Sequence, residues 1–442
     1  MKIDCPHIDA ALTGQVCPHL PVADLIDYKR LFTGTGQAYE LLCETCAGSN
    51  EGFASKTLTI CNQCFDLLEE EHCWVGISGQ PEIRRESSSL KFEHTTVSIE
   101  GLSHNSLLDI RPMESSAGIW IGLTQAGELL KIDFPAKRFS VVAQINKSDF
   151  DFLKPLSITV SPSGNFVALT ETLGQRGTVI DLFTGMAAMQ LRRDDYHCDV
   201  SPFPLAFFVS NEKELIVHAT QWNRLDISDP ATGKLLTDRS QSVPIDPKAL
   251  PDRYLNYFHG RLHVSPNHSR IADDGWVWAP AGIPMTWSLQ AWIETNPWES
   301  EDGESKKRLC QRWYYWGGPI CWVDENTIAI WGYGDDDEWL IPAVRLFDAN
   351  SGHELSWFAG PQIAPNDGVS WKDKLIKHGE LIFDKYLFAC SQKFGISVWD
   401  VWRGTCLFED PSFCPVRYHS KSKEFLSLMP DNTFMLLQLI NG

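Results

Sequence analysis

The residues most able to do chemistry are cysteines, and they are unevenly placed. Seven of the 13 fall in the first 73 residues: Cys5, Cys17, Cys43, Cys46, Cys61, Cys64 and Cys73. Cys43-Glu44-Thr45-Cys46 and Cys61-Asn62-Gln63-Cys64 are two CxxC pairs. A CxxC turn presents two thiolates to one side of an ion, and a second pair closes a zinc tetrahedron. A redox pair is the other chemistry open to such a motif. The expected first zinc site is therefore Cys43, Cys46, Cys61 and Cys64. A tripeptide, Cys-Pro-His, occurs at Cys5–His7 and again at Cys17–His19. The simplest second site is Cys5, His7, Cys17 and His19, with His72 or Cys73 able to replace a member. Both sets fill every ligand position from the protein, so the one or two zinc ions would be structural; a catalytic ion keeps a place for water.

Elsewhere the search for catalytic groups finds little. There is no GxSxG, P-loop, HExxH or kinase motif. Gly34-Thr35-Gly36 lacks the lysine and third glycine of a phosphate loop. His259 and His263 stand four apart in a stretch that reads as strand. There they share a face but lie roughly 13 Å apart, so they are expected to be structural. The stretch 274–340 is unusual: Trp276, Trp278, Trp287, Trp292, Trp298, Trp313, Trp316, Trp322, Trp331 and Trp339 accompany acidic runs at Glu299–Glu304 and Asp335–Glu338. Most of these rings are expected to pack between sheets. An exposed subset (Trp313 and Trp316, with Asp335, Asp336 and Asp337) is the candidate surface for a basic peptide, through cation–π and charge contacts.

The elements that would hold these groups follow from length and periodicity. A chain of 442 residues exceeds one small core. A formal charge of -19 without Lys/Arg clusters argues against nucleic acid and anionic membrane as partners. The N-terminus lacks the basic and apolar regions of a secretory signal, and no apolar run is long enough to span a bilayer. The expectation is a soluble, cytoplasmic protein. Residues 1–80 form the expected Cys/His-rich zinc-binding domain; 78–90, polar with a serine run, is the boundary.

Beyond it, short apolar runs alternate with turns. One pattern recurs as strand, Asp, turn, Gly, strand: Asp181 to Gly185, Asp226 to Gly233, Asp348 to Gly352 and Asp400 to Gly404. The Asp caps the turn and the Gly takes a left-handed conformation. Gly185 to Gly233 is 48 residues and Gly352 to Gly404 is 52, a blade-like period. A second turn recurs at Ser161–Gly164 and Ser265–His268. With Trp399-Asp400 in strand context and Ser161-Pro162-Ser163-Gly164 as inner turn, residues 95–442 resemble the WD40 family. The family's Gly-His pair is absent, so the likeness is to a divergent member.

The resemblance implies an all-β fold: a seven-bladed β-propeller (WD40-like) over 90–442, preceded by the small zinc-binding domain. Blades are expected near 115–148, 157–195, 202–240, 257–295, 317–360, 378–410 and 413–440. Residues near Leu90–Glu100 would supply the outer strand that the last blade lacks and so close the ring. The implied function is a non-catalytic scaffold whose propeller face and zinc module bind partner proteins. Two alternatives stand beside it. One is recognition of a peptide end or ubiquitin-like tail by the zinc module; the other is an enzyme with a site built from propeller loops.

Overall fold

The computed structural model describes residues 12–32, 39–47, 58–78, 82–239, 253–334, 340–363, 379–413 and 415–441. Of the expected site residues, Cys5, His7, Asp335, Asp336 and Asp337 lie outside these. No helix among the described residues is long and apolar enough to cross a membrane.

The N-terminal part is a mixed five-stranded sheet with two short helices. Its strands are β1 (Leu12–Val16), β2 (Asp27–Phe32), β3 (Tyr39–Cys43), β4 (Leu58–Cys61) and β5 (Cys73–Ser78), in the order β4-β1-β3-β2-β5. Each CxxC motif sits where a strand turns into a helix: β3 into α1 (Glu44–Ala47), and β4 into α2 (Asn62–Glu71). Val16, Leu20, Tyr28, Leu41, Leu42, Ile60, Phe65 and Leu68 form the small core beneath. A sheet this small buries too little apolar surface to be robust alone, which is the physical case for a metal staple.

The polar stretch read as a boundary is strapped down. β6 (Arg84–Arg85) pairs in parallel with the strand Thr405–Asp410. Arg85 bonds Glu409 at 3.1 Å, Arg403 bonds Glu86, and the Ser88 hydroxyl donates to the Leu407 carbonyl at 2.6 Å.

The rest of the described chain makes seven further sheets, antiparallel apart from the β6 addition. Their first strands are Leu107–Pro112, Leu156–Val160, Leu205–Ser210, Phe258–Val264, Ile320–Trp322, Glu380–Phe383 and Arg417–His419. Each of these neighbours the next, and Arg417–His419 comes back beside Leu107–Pro112. The last sheet has three strands of its own and takes a fourth from upstream: β7 (Leu90–Val97) pairs with Phe434–Asn441 over eight positions, from Phe434↔Val97 to Asn441↔Leu90. The sheet edge is thereby closed by chain ends far apart in sequence. The architecture is all-β and propeller-like, with buried aliphatic and aromatic clusters between successive sheets.

The turn chemistry explains the repeat. Asp181, Asp348 and Asp400 each accept two backbone N–H bonds from the turn that follows, and Gly185, Gly352 and Gly404 have φ of 68°, 82° and 60°. In the second copy the capping residue is Asp229, not Asp226: Asp229 accepts from Ala231 and precedes Gly233 by four, as in the other copies. Asp226 is instead buried against Arg224 and Arg239. A fifth copy escaped the sequence reading. Asp133 accepts from Ala136, and Lys137, at φ 50°, stands where the others have glycine, 48 residues before Gly185.

Candidate functional site

Three places gather functional side chains. The first is at the end of the N-terminal sheet. β1 and β3 run parallel, Val16 opposite Leu41, so both strands finish at the same edge. The residues that follow, Cys17-Pro18-His19 and Cys43-x-x-Cys46, meet there. The ligand atoms of Cys17, His19, Cys43 and Cys46 all lie within 4.8 Å of one another. His19 Nδ1 is 3.4 Å from the Cys43 sulfur and 3.3 Å from that of Cys46. The edges of a zinc tetrahedron of thiolate and imidazole are roughly 3.6–3.8 Å, so the cluster has the size for one ion. The Cys43 N–H donates to the Cys17 sulfur at 3.3 Å. Burial, with the neighbouring Cys43 and Cys17 thiols, pushes the Cys46 thiol up to about 12. A buried thiol that resists ionisation, as Cys46 does, is one that a divalent cation would stabilise as a thiolate. These four residues can hold a metal ion.

The fold thus divides the expected ligands differently from the sequence reading. Cys43 and Cys46 are joined by Cys17 and His19, and Cys61 and Cys64 stand outside that cluster. The reason is strand direction: β4 is antiparallel to β1, with Leu12 opposite Cys61, which puts Cys61 at the far end of β1 from Cys17. His72 is not a substitute ligand here. Its Nδ1 accepts the Ile26 N–H and its Nε2 meets the Leu20 carbonyl at 2.9 Å, so both ring nitrogens tie down backbone. Cys73 is exposed.

The second place is a cavity of 970 Å³ lined by residues from the first strands of all seven propeller-like sheets, among them Asp109, Thr159, Leu205, Arg261, Ile320, Glu380 and Arg417. Asp109 accepts from Arg111, from Arg417 and from the Ile158 N–H. Burial pushes its carboxyl up, but the Arg111 and Arg417 guanidiniums and the Ile158 amide outweigh this and hold it below the usual range. His263 lines the cavity too; burial, with Arg261 beside it, pushes it down to about 4 and keeps it neutral. His259 carries a different geometry: its Nδ1 is 2.6 Å from Asp273, and both are buried. An imidazole oriented by a carboxylate is general-base geometry. This one sits in the wall, however, and is not among the cavity-lining residues.

The third place is an aromatic cluster between the third and fourth sheets. Trp276 is sandwiched between Phe258 (4.1 Å, 11°) and Trp316 (4.9 Å, 18°). Phe258 meets Trp222 at 4.4 Å and Tyr196 at 5.8 Å, while Trp278 packs on His197 at 4.7 Å and on Trp276 at 5.7 Å. The loop 194–201 is bonded over this stack: the Trp276 indole donates to the Ser201 hydroxyl, and that of Trp316 to the Val200 carbonyl. Two rings face outward, Tyr196 at 50% and Trp278 at 59% exposure. Asp194 caps the start of the loop, accepting from the Tyr196 and Trp222 amides, and Asp195 beside it is exposed.

The sequence reading singled out Trp313 and Trp316. Trp313 is exposed on the strand Arg312–Trp313, and Trp316 is half-buried in the stack. The reading missed Tyr196 and His197, on the loop 194–201, and Trp222, in a turn of the third sheet. The acidic run at 299–304 is in large part interior. Glu299, Ser300 and Glu301 are buried; Glu299 accepts from Ser305 and Asn296, and Glu301 pairs with the buried Arg239.

No family model matches the chain, and no curated protein does. Among solved structures, a chain in the mitotic checkpoint complex is similar at 10% identity, covering 81% of this chain and 95% of that one, with a TM-score of 0.48. U3-55K is similar at 9% identity, covering 78% of this chain and 98% of that one, with a TM-score of 0.49. Both are WD40-type propellers.

Proposed function

We propose that this protein is a non-catalytic interaction scaffold: a seven-bladed β-propeller that binds a cationic segment of a partner protein, carrying a zinc-stapled module over residues 1–80. The observation that carries the reading is the aromatic stack of the third and fourth sheets, with Tyr196 and Trp278 open to solvent next to Asp194 and Asp195. An aromatic face attracts Lys or Arg through its quadrupole, adjacent carboxylates add charge, and buried stacking makes the platform rigid. The formal charge of -19 works in the same direction for a basic partner. The sealed position of His259–Asp273 and the neutral His263 favour binding over catalysis. The Cys17–Cys46 cluster is read as a structural zinc site, which suits a reducing compartment, and the cytoplasm is the proposed location.

The test uses arrayed Lys/Arg-rich peptides as probes for the native full chain. Binding should weaken with salt, and Tyr196→Ala/Trp278→Ala should lower affinity at least tenfold with unchanged thermal stability. Equal binding by the double variant, or equal binding of acidic peptides, would remove this reading.

A further inference from the structure

The cavity inside the ring of sheets is more cationic than the chain around it. Arg111, Arg261 and Arg417 stand on the first strands Leu107–Pro112, Phe258–Val264 and Arg417–His419, and all three line it. A register shift between Phe258 and Arg261 breaks the alternation of the fourth sheet's first strand, so Arg261 and His263 reach the cavity while His259 stays in the wall. The carboxylates that face these guanidiniums are Asp109 and Glu380. Lys154 and Glu114 also line the cavity and offset each other. With His263 neutral, the lining holds one positive charge in excess, in a chain whose formal charge is -19.

The local acceptors have little left to give. Asp109 already takes four donors on its two oxygens: the Ile110 and Ile158 amides, Arg111 Nε at 3.1 Å and Arg417 Nη2 at 3.1 Å. In Arg417, Nη1 donates to the Val416 carbonyl at 2.6 Å and to Glu380 at 3.3 Å. Its Nε is shielded and bonds no described residue, and neither does the shielded Nε2 of His263. Burial pushes Arg261 below the ordinary arginine value; Glu380 and Asp274 oppose that, while Arg111 and Arg417 add to it. The three guanidiniums thus share one field. A shielded cation in excess and a shielded donor without an acceptor each cost free energy, and an anion seated beside them would offset both.

A guanidinium offers its N–H groups as a planar fork that matches a carboxylate or a phosphate. At 970 Å³ the cavity has the size of a small-molecule site, and Leu205, Leu262, Ile320 and Leu381 line it beside the charges. We propose that the central cavity binds a small organic anion, its carboxylate or phosphate head held by Arg261 and Arg417 and its apolar body lying along the first strands. The aromatic platform of the third and fourth sheets plays no part in this, so either reading can fail without the other.

Calorimetric titration of the full chain, in low-chloride buffer, uses hexanoate, hexyl phosphate and hexylamine, which share an apolar body and differ in the head. At least one of the two anions is expected to bind at one site with a Kd of about 1 mM or tighter, and hexylamine should not bind. The tighter of the two anions tells a carboxylate site from a phosphate site. Arg261→Gln should weaken anion binding at least tenfold, and Phe183→Ala, at an exposed side chain, should leave it unchanged. Absence of binding by both anions overturns the site, as does equal binding of hexylamine or undiminished binding by Arg261→Gln.

Because Arg261→Gln can fail to fold, wild type is also melted in each compound. An anion that binds the folded chain should raise the melting midpoint with its concentration, and hexylamine should not. A midpoint that neither anion moves, or that hexylamine raises equally, overturns the site.

Discussion

Asp109 and Arg417 are 308 residues apart in the chain and 3.1 Å apart in space. Asp109 is on the first strand of the first propeller-like sheet, and Arg417 on that of the last. The same carboxylate accepts the Ile158 amide of the second sheet, and Arg417 also reaches Glu380 of the sixth at 3.3 Å. One ion cluster around the buried Asp109 therefore ties four sheets where the chain returns on itself.

Removing the buried Asp109 carboxylate leaves Arg111 and the half-buried Arg417 with less compensation. Asp109→Asn is expected to cost about 3 kcal/mol in urea unfolding. The Asp109 carboxyl is held below its ordinary value in the folded state, so its contribution is complete above the unfolded value of about 3.9 and fades as pH falls through the folded one. The stability of wild type should thus decline more steeply below about pH 4 than that of Asp109→Asn. Parallel pH profiles would show that Asp109 adds nothing to acid stability.

The pairing of β7 with the C-terminal strand makes a separate prediction. Ending the chain after Leu437 removes the pairs Gln438↔Glu93, Leu439↔Phe92, Ile440↔Lys91 and Asn441↔Leu90, and uncovers Leu90 and Phe92. A loss of about 3–5 kcal/mol is expected from the lost ladder and apolar burial. Phe183→Ala, at a side chain 97% exposed, should change stability by less than about 0.5 kcal/mol. Similar effects of the two changes would mean that closure contributes little.

Glu301 tests the burial of the acidic run. Arg239 and Glu301 are both nearly inaccessible, and Arg239 also contacts Asp226 and the Leu225 carbonyl. Glu301→Ala leaves that guanidinium with less compensation and is expected to cost about 3–5 kcal/mol by calorimetry or urea unfolding. Glu304→Ala, at the end of the same run, should be nearly neutral. An exposed acidic loop would give small effects at both.

How much of this was legible in the sequence depends on the range of the signal. The propeller-like succession was readable because each Asp–Gly turn is local: four residues fix the cap and the left-handed position. The pairing of 90–97 with the C-terminus followed from counting strands in the last sheet. Ligand partition was not readable, since CxxC spacing shows which cysteines act as pairs but not which end of β1 each pair occupies. Only the register of Leu12 with Cys61 and of Val16 with Leu41 does that. The aromatic stack was half seen for the same reason: Trp276 and Trp278 are neighbours in sequence, while Trp316 comes from 38 or more residues away and Tyr196 and Trp222 from 54 or more. Composition does not report burial, so nothing in the run at 299–304 showed that Glu299 and Glu301 are interior.

The overlooked turn copy at Lys137 provides the last prediction. The hairpins Asp133↔Arg138, Asp181↔Met186 and Asp400↔Thr405 have the same loop length, so Lys137, Gly185 and Gly404 occupy one position. That position is left-handed in all three, which costs an L-residue about 1–2 kcal/mol. Glycine relieves this strain but gains freedom in the unfolded chain worth about 0.5–1 kcal/mol. Lys137→Gly is therefore expected to stabilise by about 0.5 kcal/mol. The reverse change is not symmetrical, because a Cβ at Gly185 would lie 2.7 Å from the Val142 carbonyl oxygen, a backbone atom that cannot swing away. Gly185→Ala should cost about 2–4 kcal/mol, from strain and that contact together. Urea midpoints of the two variants against wild type decide it. If Gly185→Ala is as mild as a surface substitution, the backbone at this turn relaxes freely, and the glycine period reflects something other than conformational need.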